Sequence, residues 1–289
     1  MHKDKIITSN WAYLIWFCFY FTLSVLFVWI FTKVVWIAFF ITAFCYFISL
    51  LIAFSPIGEW MMRAQIGAKE IVTRQDIDYL YPIFYEVHYY AKWVNNNLSN
   101  SIKLYLIDDV SINAYAIGNN SIALTYGAVY GLSPDDLKGL IAHEIGHLSY
   151  FHTRAGILNV VGNGFFSLYI IIANGINGAF LGMAKMTEGN GCIAALFKGV
   201  CYLVAWTIKG LFYLVIATGN LLLSFNNRQN EFLADEFAFY MGYGQHLVHA
   251  LYLVNRAFPD GQPGVFSKLY NSHPYMSERI ARLEASIYR

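Results

Sequence analysis

One stretch of the chain combines residue types and spacing that could hydrolyse a peptide bond. It reads His143-Glu144-Ile145-Gly146-His147, with two imidazoles four residues apart. Residues four apart share one face of a helix, so both rings can reach a single metal ion. Glu144 lies beside the pair, where its carboxylate can accept a proton from water without binding the metal. Two imidazoles, an open metal position and an adjacent carboxylate are what metal-assisted peptide hydrolysis requires.

The residues before this motif predict a helix that can hold it. Ser133 can cap the N-terminus of that helix, and Pro134 suits its first turn. Asp135 and Asp136 add negative charge to the first turn, and Ser133 with Asp136 has the spacing of a capping box. The apolar residues that follow recur at helical spacing, at Leu137, Leu140, Ile141, Ile145 and Leu148.

A second motif, far along the chain, could complete the site. Glu231 and Asp235 are four residues apart and therefore lie on one face of a predicted helix. Two such carboxylates alone would indicate a solvated face, but here they follow a histidine pair that lacks a third ligand. We expect Glu231 to be that ligand and Asp235 to accept the free ring N–H of His143. Zinc is the metal that two imidazoles and one carboxylate favour, with one position left for water.

The spacing after His147 excludes another class of zinc site. The metzincin pattern requires glycine at position 150 and histidine at position 153, and these positions hold Tyr150 and Thr153. His152 is out of register by one residue, and we interpret it as incidental.

The composition predicts a membrane protein. The 289 residues are 57% hydrophobic and only 13% charged, which is about half the charged fraction of a soluble domain. The net charge of +1 does not indicate a nucleic-acid partner, and no nucleotide cofactor is expected. The cysteines form no C-x-x-C pair and predict buried free thiols at Cys18, Cys45, Cys192 and Cys201.

The first apolar run predicts a pair of membrane spans. Residues 11–54 are almost wholly apolar, with Lys33 as their only charge. The run is twice the length of one span, which favours two helices over residues 11–31 and 34–54. A single long, tilted or kinked helix is the alternative. The run is too long and too aromatic for a cleaved signal peptide.

A second apolar region predicts two further spans. Residues 156–184 carry no charge, and residues 192–225 contain Lys198 and Lys209. We expect Lys198 at the membrane interface. Lys209 is expected to face an interface or a cavity, without a catalytic part.

The chain therefore divides into four parts. Two of them are membrane hairpins, over residues 11–54 and 156–225. The other two form a metalloprotease domain: its first part, residues 57–155, contains the metal-binding helix, and its second part, residues 226–289, contains Glu231. Short β-like runs at 102–107, 114–117 and 121–125 predict a small sheet. The expected fold is mainly α: four transmembrane helices plus a cytoplasmic α+β gluzincin domain with a small β-sheet.

Charge asymmetry predicts the orientation. Lys33 and Lys185 stand alone on one side of the spans, whereas the other side carries Lys3, Lys5, Arg63, Lys69, Arg74, Arg154 and Arg228. The side rich in Lys and Arg faces the cytoplasm. The N-terminus and both parts of the metalloprotease domain are therefore expected there, and the short layout favours a bacterial inner membrane.

Several of these segments resemble one known family. The chain resembles the HtpX-type integral-membrane zinc metallopeptidases in four segments: His143–His147, Asn230–Asp235, His273-Pro274 and Arg279-Ile280. These enzymes are relatives of the type-I CAAX prenyl endopeptidases, and both groups have a gluzincin site. Residues 113–118, Asn-Ala-Tyr-Ala-Ile-Gly, are similar to that family's Asn-Ala-Phe-Ala-x-Gly segment. The similarity runs from about residue 57 to the end, and the arrangement of two spans plus two spans agrees with it.

The resemblance implies a role for each matching residue. One zinc ion per chain would be bound by His143, His147 and Glu231, with Glu144 as general base and proton shuttle and Asp235 behind the ligands. An edge strand would bind the substrate backbone through Asn113, Ala114, Tyr115 and Ala116. His273 would lie near the tetrahedral oxyanion, and Arg279 would be the structural partner of an acidic residue, with Asp235 as the candidate.

The expected function is that of a zinc-dependent membrane endopeptidase, which cleaves membrane or misfolded proteins in quality control. Its partners would be a protein or peptide substrate and the lipid bilayer. Three alternatives remain: a catalytically silent membrane scaffold of the same fold, a CAAX-type prenyl-protein endopeptidase, and a transporter that uses Lys209. The prenyl endopeptidases have more spans and a larger chamber, and a transporter would be expected to show an internal repeat.

Overall fold

The computed structural model describes residues 2–187, 191–257 and 274–288. The helices are α1 (His2–Thr32), α2 (Val35–Ala53), α3 (Pro56–Gln65), α4 (Arg74–Val94), α5 (Tyr126–Gly131), α6 (Pro134–Ser149), α7 (His152–Met186), α8 (Cys192–Tyr240), α9 (Gly244–Ala257) and α10 (Met276–Ile287). The strands are β1 (Ala68–Glu70), β2 (Lys103–Ile107), β3 (Ala114–Ile117) and β4 (Ser121–Thr125).

Four of the described helices are long and apolar enough to cross a bilayer: α1 from Asn10 onward, α2, α7 and α8. The predicted arrangement of two spans plus two spans is confirmed. Lys33 has a φ of 56°, which ends α1 and separates it from α2, so the first apolar run is not one long helix. Inside the bundle α7 packs along α1, α2 and α8. The Tyr46 ring of α2, for example, stacks on Phe165 of α7, with the ring centroids 4.4 Å apart.

The fourth span and the helix that carries Glu231 are one continuous helix, which the sequence did not predict. α8 runs for 49 residues, past the expected end of the span at residue 225. The polar segment that suggested a boundary is held inside the helix by tertiary contacts. The side-chain oxygen of Asn226 accepts a hydrogen bond from the backbone N–H of Ala12 on α1.

Lys209 remains inside the fourth span. Its Nζ lies 5.9 Å from the centroid of the Trp206 ring, one turn earlier on α8, so the ring partly compensates the charge. The four cysteines are free, as predicted, but only Cys201 is buried. Cys18, Cys45 and Cys192 lie on the outer surface of their helices.

A four-stranded sheet covers one side of the soluble part, in the order β1-β2-β4-β3. β2 and β4 are parallel, and β3 returns antiparallel to β4 through a turn in which Gly118 has a φ of 56°. β1 is too short and too polar to predict, and it forms only by pairing with β2. β3 is at the edge of the sheet, so one row of its backbone groups has no partner strand among the residues that the structure describes.

The metal helix α6 passes through the centre of this domain. Ser133 caps it as predicted, accepting a hydrogen bond from the Asp136 N–H at 3.2 Å. Its apolar residues pack between α4, α8, α9 and the sheet in one continuous core. The largest side chains sealed in that core are Leu80, Phe84, Ile122, Leu124, Leu137, Ile141, Ile145, Phe237 and Leu247.

Gly146 lets α6 approach α8 closely. A Cβ at this position would lie 2.9 Å from the Cα of Ala234 and 3.1 Å from its carbonyl oxygen. Both are backbone atoms, so the helices would have to move apart. The absence of a side chain at Gly146 thus allows close packing of the two helices that carry the candidate metal ligands.

We expect Gly146→Ala to lower the free energy of unfolding by about 1–3 kcal/mol, because overpacking strains a close helix contact. Gly156→Ala is the matched control: its added Cβ would meet nothing within 4 Å, and alanine favours a helix interior. Thermal unfolding in detergent measures both. Equal melting temperatures for the two variants would contradict the close-contact explanation.

Candidate active site

α6 presents His143 and His147 on the same side of the helix. Their Nε2 atoms are 3.2 Å apart and the ring planes are perpendicular. His143 is 4% exposed, and Glu144 between them is 6% exposed. Such burial indicates that these groups face each other inside the protein rather than the solvent.

α8 brings Glu231 to the same point. Its Oε2 lies 3.4 Å from Nε2 of His143, and its Oε1 lies 3.6 Å from Nε2 of His147. These three side chains form a cluster of donor atoms within 4.8 Å of one another, able to hold a metal ion. The helices that meet here are separated in sequence by the whole second membrane hairpin.

The donor atoms are close to the spacing of a tetrahedral metal site. Zinc binds imidazole nitrogen and carboxylate oxygen at about 2.0–2.2 Å, so two of its ligands stand about 3.3–3.6 Å apart. The two imidazole nitrogens are 3.2 Å apart, and they lie 3.4 and 3.6 Å from different oxygens of Glu231. Each imidazole therefore has a Glu231 oxygen at about the separation found between zinc ligands.

The charges around the cluster also fit a cation. Glu144, Glu231 and Asp235 are buried, and the guanidinium of Arg279 is the buried positive charge that contacts this group. Unless His143 is protonated, three carboxylates and one guanidinium leave negative charge uncompensated, which is costly in the protein interior. A bound divalent cation would compensate it.

Asp235 and Arg279 lie on the side of the His143 ring that carries Nδ1. Nδ1 of His143 is 2.9 Å from Oδ1 of Asp235. The guanidinium of Arg279, on α10, donates to both carboxylate oxygens of Asp235, at 2.9 and 2.6 Å. Its Nη1 also lies 3.1 Å from Oε2 of Glu231. The structure thus places Asp235 where it can orient His143, and Arg279 where it can orient both carboxylates.

The two imidazoles have opposite pKa shifts. Burial and the Arg279 charge lower the pKa of His143, but the hydrogen bonds to Asp235 and Glu231 outweigh them and raise it to about 9. Its neighbours therefore favour a positive charge on this ring, a charge that a metal ion at Nε2 would supply instead of a proton. Burial lowers the pKa of His147 to about 4, which keeps that ring neutral with a free lone pair.

Glu144 lies between the metal cluster and the edge strand. Its carboxylate accepts a hydrogen bond from the backbone N–H of Ala116 in β3, and burial raises its pKa. A raised carboxyl pKa suits a group that takes and returns a proton near neutral pH. Glu144 is not one of the three clustered donors, so it remains available for proton transfer.

The cluster opens into a cavity of about 450 Å³. Its walls are formed by α6, the edge strand β3, and parts of α1, α7, α8, α9 and α10. The predicted substrate strand lies in one wall, with Asn113, Ala114, Tyr115 and Ala116. This strand is at the sheet edge, so an extended peptide could pair with it. His273, the remaining predicted residue, is outside the described residues.

His152 is a site residue that sequence reasoning missed. We interpreted it as incidental from its register, but its Nδ1 lies 3.0 Å from Nδ1 of His147. Phe151 adopts a left-handed conformation with a φ of 59°, and this turn between α6 and α7 brings His152 back beside the metal helix. Its contact lets it hold the His147 ring in one orientation. The available signal was a histidine five residues after His147.

Three polar residues near the membrane were also missed. Tyr13, Asn227 and Asn230 line the cavity from α1 and α8. Asn230 precedes Glu231, which was a possible signal. Tyr13 lies in an apolar span far from any motif, and no feature of the sequence connects it with the site.

Known proteins resemble both the sequence and the fold of this chain. It is 27% identical over 202 residues to a protease HtpX homolog of Dictyoglomus turgidum and spans 62% of that relative's length, with 63% of its own residues matched. A protease HtpX of Shewanella baltica is 25% identical over 256 residues, covering 80% of this chain and 82% of the relative. Among solved structures, S. mikatae Ste24p superposes with a TM-score of 0.55 at 19% identity, over 89% of this chain and 60% of Ste24p.

These comparisons confirm the predicted resemblance to HtpX-type metallopeptidases, and the likeness to Ste24p confirms the fold class. The chain is therefore an integral membrane protein with a small sheet beside its helices. The family match covers residues 86–287, which include both the histidine motif and Glu231. The chain belongs to Peptidase family M48.

Proposed function

We propose that this protein is a zinc-dependent endopeptidase that hydrolyses peptide bonds of membrane or misfolded proteins at the membrane surface. The observation that carries this proposal is the cluster of His143, His147 and Glu231, whose ligand atoms lie within 4.8 Å of one another, with Glu144 beside it. Membership of a peptidase family and the likeness to bacterial HtpX proteases support it.

The metal would be held by His143, His147 and Glu231. When bound, a zinc ion supplies Lewis acidity, which makes water a stronger acid and polarises the scissile carbonyl. Asp235 would keep the Nδ1–H tautomer of His143, so that its Nε2 lone pair is directed at the metal position. Arg279 would hold Asp235 and Glu231 in place through its three contacts.

The proton transfers would belong to Glu144. Its carboxylate takes a proton from the attacking water and returns it to the leaving amine, a role that its burial and raised pKa support. The substrate backbone would lie along β3, where Asn113–Ala116 line the cavity. His273 is proposed near the developing oxyanion on the basis of the family resemblance.

The active site is proposed to face the cytoplasm of a bacterial cell, from the inner membrane. The excess of Lys and Arg on the side of the soluble domain supports this orientation, as do the bacterial relatives. The alternative of a silent scaffold is less well supported, because the three clustered metal-binding side chains and the carboxylate of Glu144 line one cavity.

One experiment tests the activity, the metal and the orientation together. We expect inverted membrane vesicles that contain the protein to cleave an unfolded, fluorescently labelled casein, and right-side-out vesicles not to cleave it. A chelator should abolish the cleavage, and added zinc should restore it. Chelator-resistant cleavage would exclude the metal site, and cleavage only by right-side-out vesicles would reverse the orientation. No cleavage in either preparation, with zinc bound, would favour the scaffold.

A further inference from the structure

The wall of the cavity nearest the membrane is polar, and the proposed mechanism does not use it. Tyr13 reaches this wall from α1, three residues after the start of the first span at Asn10. Asn227 and Asn230 reach it from α8, just before Glu231. The Tyr13 hydroxyl donates a hydrogen bond to Oδ1 of Asn227.

Asn230 is buried without a hydrogen-bond partner. The residue is 3% exposed, and neither Nδ2 nor Oδ1 has a partner of good geometry within the part of the chain that the structure describes. The Asn230 side chain interacts with the neighbouring Tyr13 hydroxyl, but no hydrogen bond of good geometry joins the two. A buried amide without well-formed hydrogen bonds is destabilising, and in the wall of a cavity it suits a ligand that supplies the missing partners.

The three side chains together offer hydrogen-bond donors and acceptors that can pair with the N–H and C=O groups of a peptide unit. The bond to Tyr13 is the one described contact of the Asn227 side chain, and it leaves Nδ2 free to donate. The Tyr13 oxygen and Oδ1 of Asn230 can accept, and Nδ2 of Asn230 can donate. A main-chain amide presents one acceptor and one donor, so this wall can pair with it whatever the side chain is.

The position of the wall fits a peptide in the cavity. The same cavity is bounded by the edge strand β3 and by Glu144, which contacts Ala116 of that strand. An extended chain that pairs with β3 leaves every second residue's backbone groups free, and these can pair with the cavity wall formed by α1 and α8. Because α1 and α8 enter the membrane at this level, the segment bound there lies at the membrane surface.

We propose that Tyr13, Asn227 and Asn230 form a subsite that binds the main chain of the substrate on the membrane side of the active site. The first membrane span is then part of the catalytic cavity and not only an anchor. This proposal rests on the proposed peptidase activity. The competing explanation is that the polar wall only joins α1 to α8.

The chain contains a matched control for that explanation. Tyr20 lies seven residues after Tyr13 on α1, and its hydroxyl donates to Oδ1 of Asn163 on α7. Tyr13 and Tyr20 thus each make a tyrosine–asparagine hydrogen bond between spans, but only Tyr13 lines the cavity. A loss that arises from weaker helix packing should affect both phenylalanine variants equally.

We expect Tyr13→Phe to lower kcat/KM for labelled casein roughly 3- to 10-fold, mainly by raising KM, as loss of one substrate hydrogen bond predicts. Tyr20→Phe should stay within about 2-fold of the unmodified protein, because it leaves the cavity unchanged. Zinc content and melting temperature are measured for both variants. Equal losses of kcat/KM in the two variants would overturn the subsite.

Asn230→Leu gives a second, independent readout. It should lower kcat/KM by roughly 10-fold while the melting temperature stays equal or rises, because an unpaired buried amide is replaced by an apolar group. Asn226→Leu is its control: Asn226 is fully buried but bonded to Ala12, so this variant should melt at a lower temperature. A lower melting temperature with unchanged kcat/KM for Asn230→Leu would assign this residue a structural role and overturn the proposal.

The failure of this proposal is distinguishable from failure of the peptidase assignment. Glu144→Gln is assayed in parallel. If that variant is inactive while Tyr13→Phe and Tyr20→Phe behave alike, only the subsite is wrong. If Glu144→Gln cleaves as well as the unmodified protein, the assignment of the active site itself is wrong.

Discussion

Replacing Glu144 by glutamine is expected to reduce kcat by about 10²- to 10⁴-fold, the range that general acid–base catalysis contributes. Glutamine keeps the size of the side chain and can still contact the Ala116 N–H, but its amide cannot accept and return a proton. The three clustered donors, His143, His147 and Glu231, are unchanged. The variant should therefore bind zinc as the unmodified protein does.

The measurement pairs single-turnover cleavage of labelled casein with metal analysis of the purified protein in detergent. KM should change little, because Glu144 acts in the transition state and not in substrate binding. Cleavage within about 10-fold of the unmodified rate would exclude Glu144 as the base. Loss of zinc would instead indicate that Glu144 helps to hold the metal.

Glu231→Ala should differ from Glu144→Gln in its zinc content, because both the bound metal and the activity should be lost. Removing the carboxylate leaves two imidazoles, which are fewer protein ligands than zinc sites use. It also removes one carboxylate contact of the buried Arg279, whose Nη1 lies 3.1 Å from Glu231. We expect substoichiometric zinc and a cleavage rate at background.

Glu236→Ala is the matched control for that loss. Glu236 lies on the same helix one turn further on, where it accepts a hydrogen bond from Tyr240 and does not line the cavity. Its removal should leave zinc content and cleavage unchanged. Full zinc occupancy in Glu231→Ala, measured against this control, would show that the third ligand is a different residue.

The two variants separate the metal from the proton transfer. Glu144→Gln should be metal-bound and inactive, whereas Glu231→Ala should be metal-free and inactive. A silent scaffold predicts no cleavage in the unmodified protein at all. Each proposed role thus has its own pair of readouts.

The two halves of the candidate metal site follow from local sequence patterns. The Ser133 cap, the proline in the first turn and the apolar spacing define α6, and helical geometry then puts His143 and His147 on one face. The same rule puts Glu231 and Asp235 on one face of α8. The four apolar spans follow from length and hydrophobicity, which are also local properties. These parts could therefore be predicted without any tertiary contact.

Long-range packing decides the remainder. Tyr13 and Asn227 are 214 positions apart, and nothing in their neighbourhoods indicates that they meet. Arg279 reaches Asp235 because α10 packs against α8, and His152 reaches His147 because Phe151 turns the chain back. The strand β1 exists only as a partner of β2.

The sequence by itself determined the chemistry of this protein: which side chains can bind a metal, which can move a proton, and which segments enter the membrane. Only the tertiary structure decided how these groups are assembled, through a 49-residue helix that continues from the fourth span into the active site and a glycine contact between Gly146 and Ala234. The physical reason is the distance along the sequence over which each kind of interaction acts. Periodicity and capping act over one or two helical turns, whereas the cavity also needs contacts between distant residues, such as Asp235 and Arg279, 44 positions apart, and Tyr13 and Asn227, 214 positions apart.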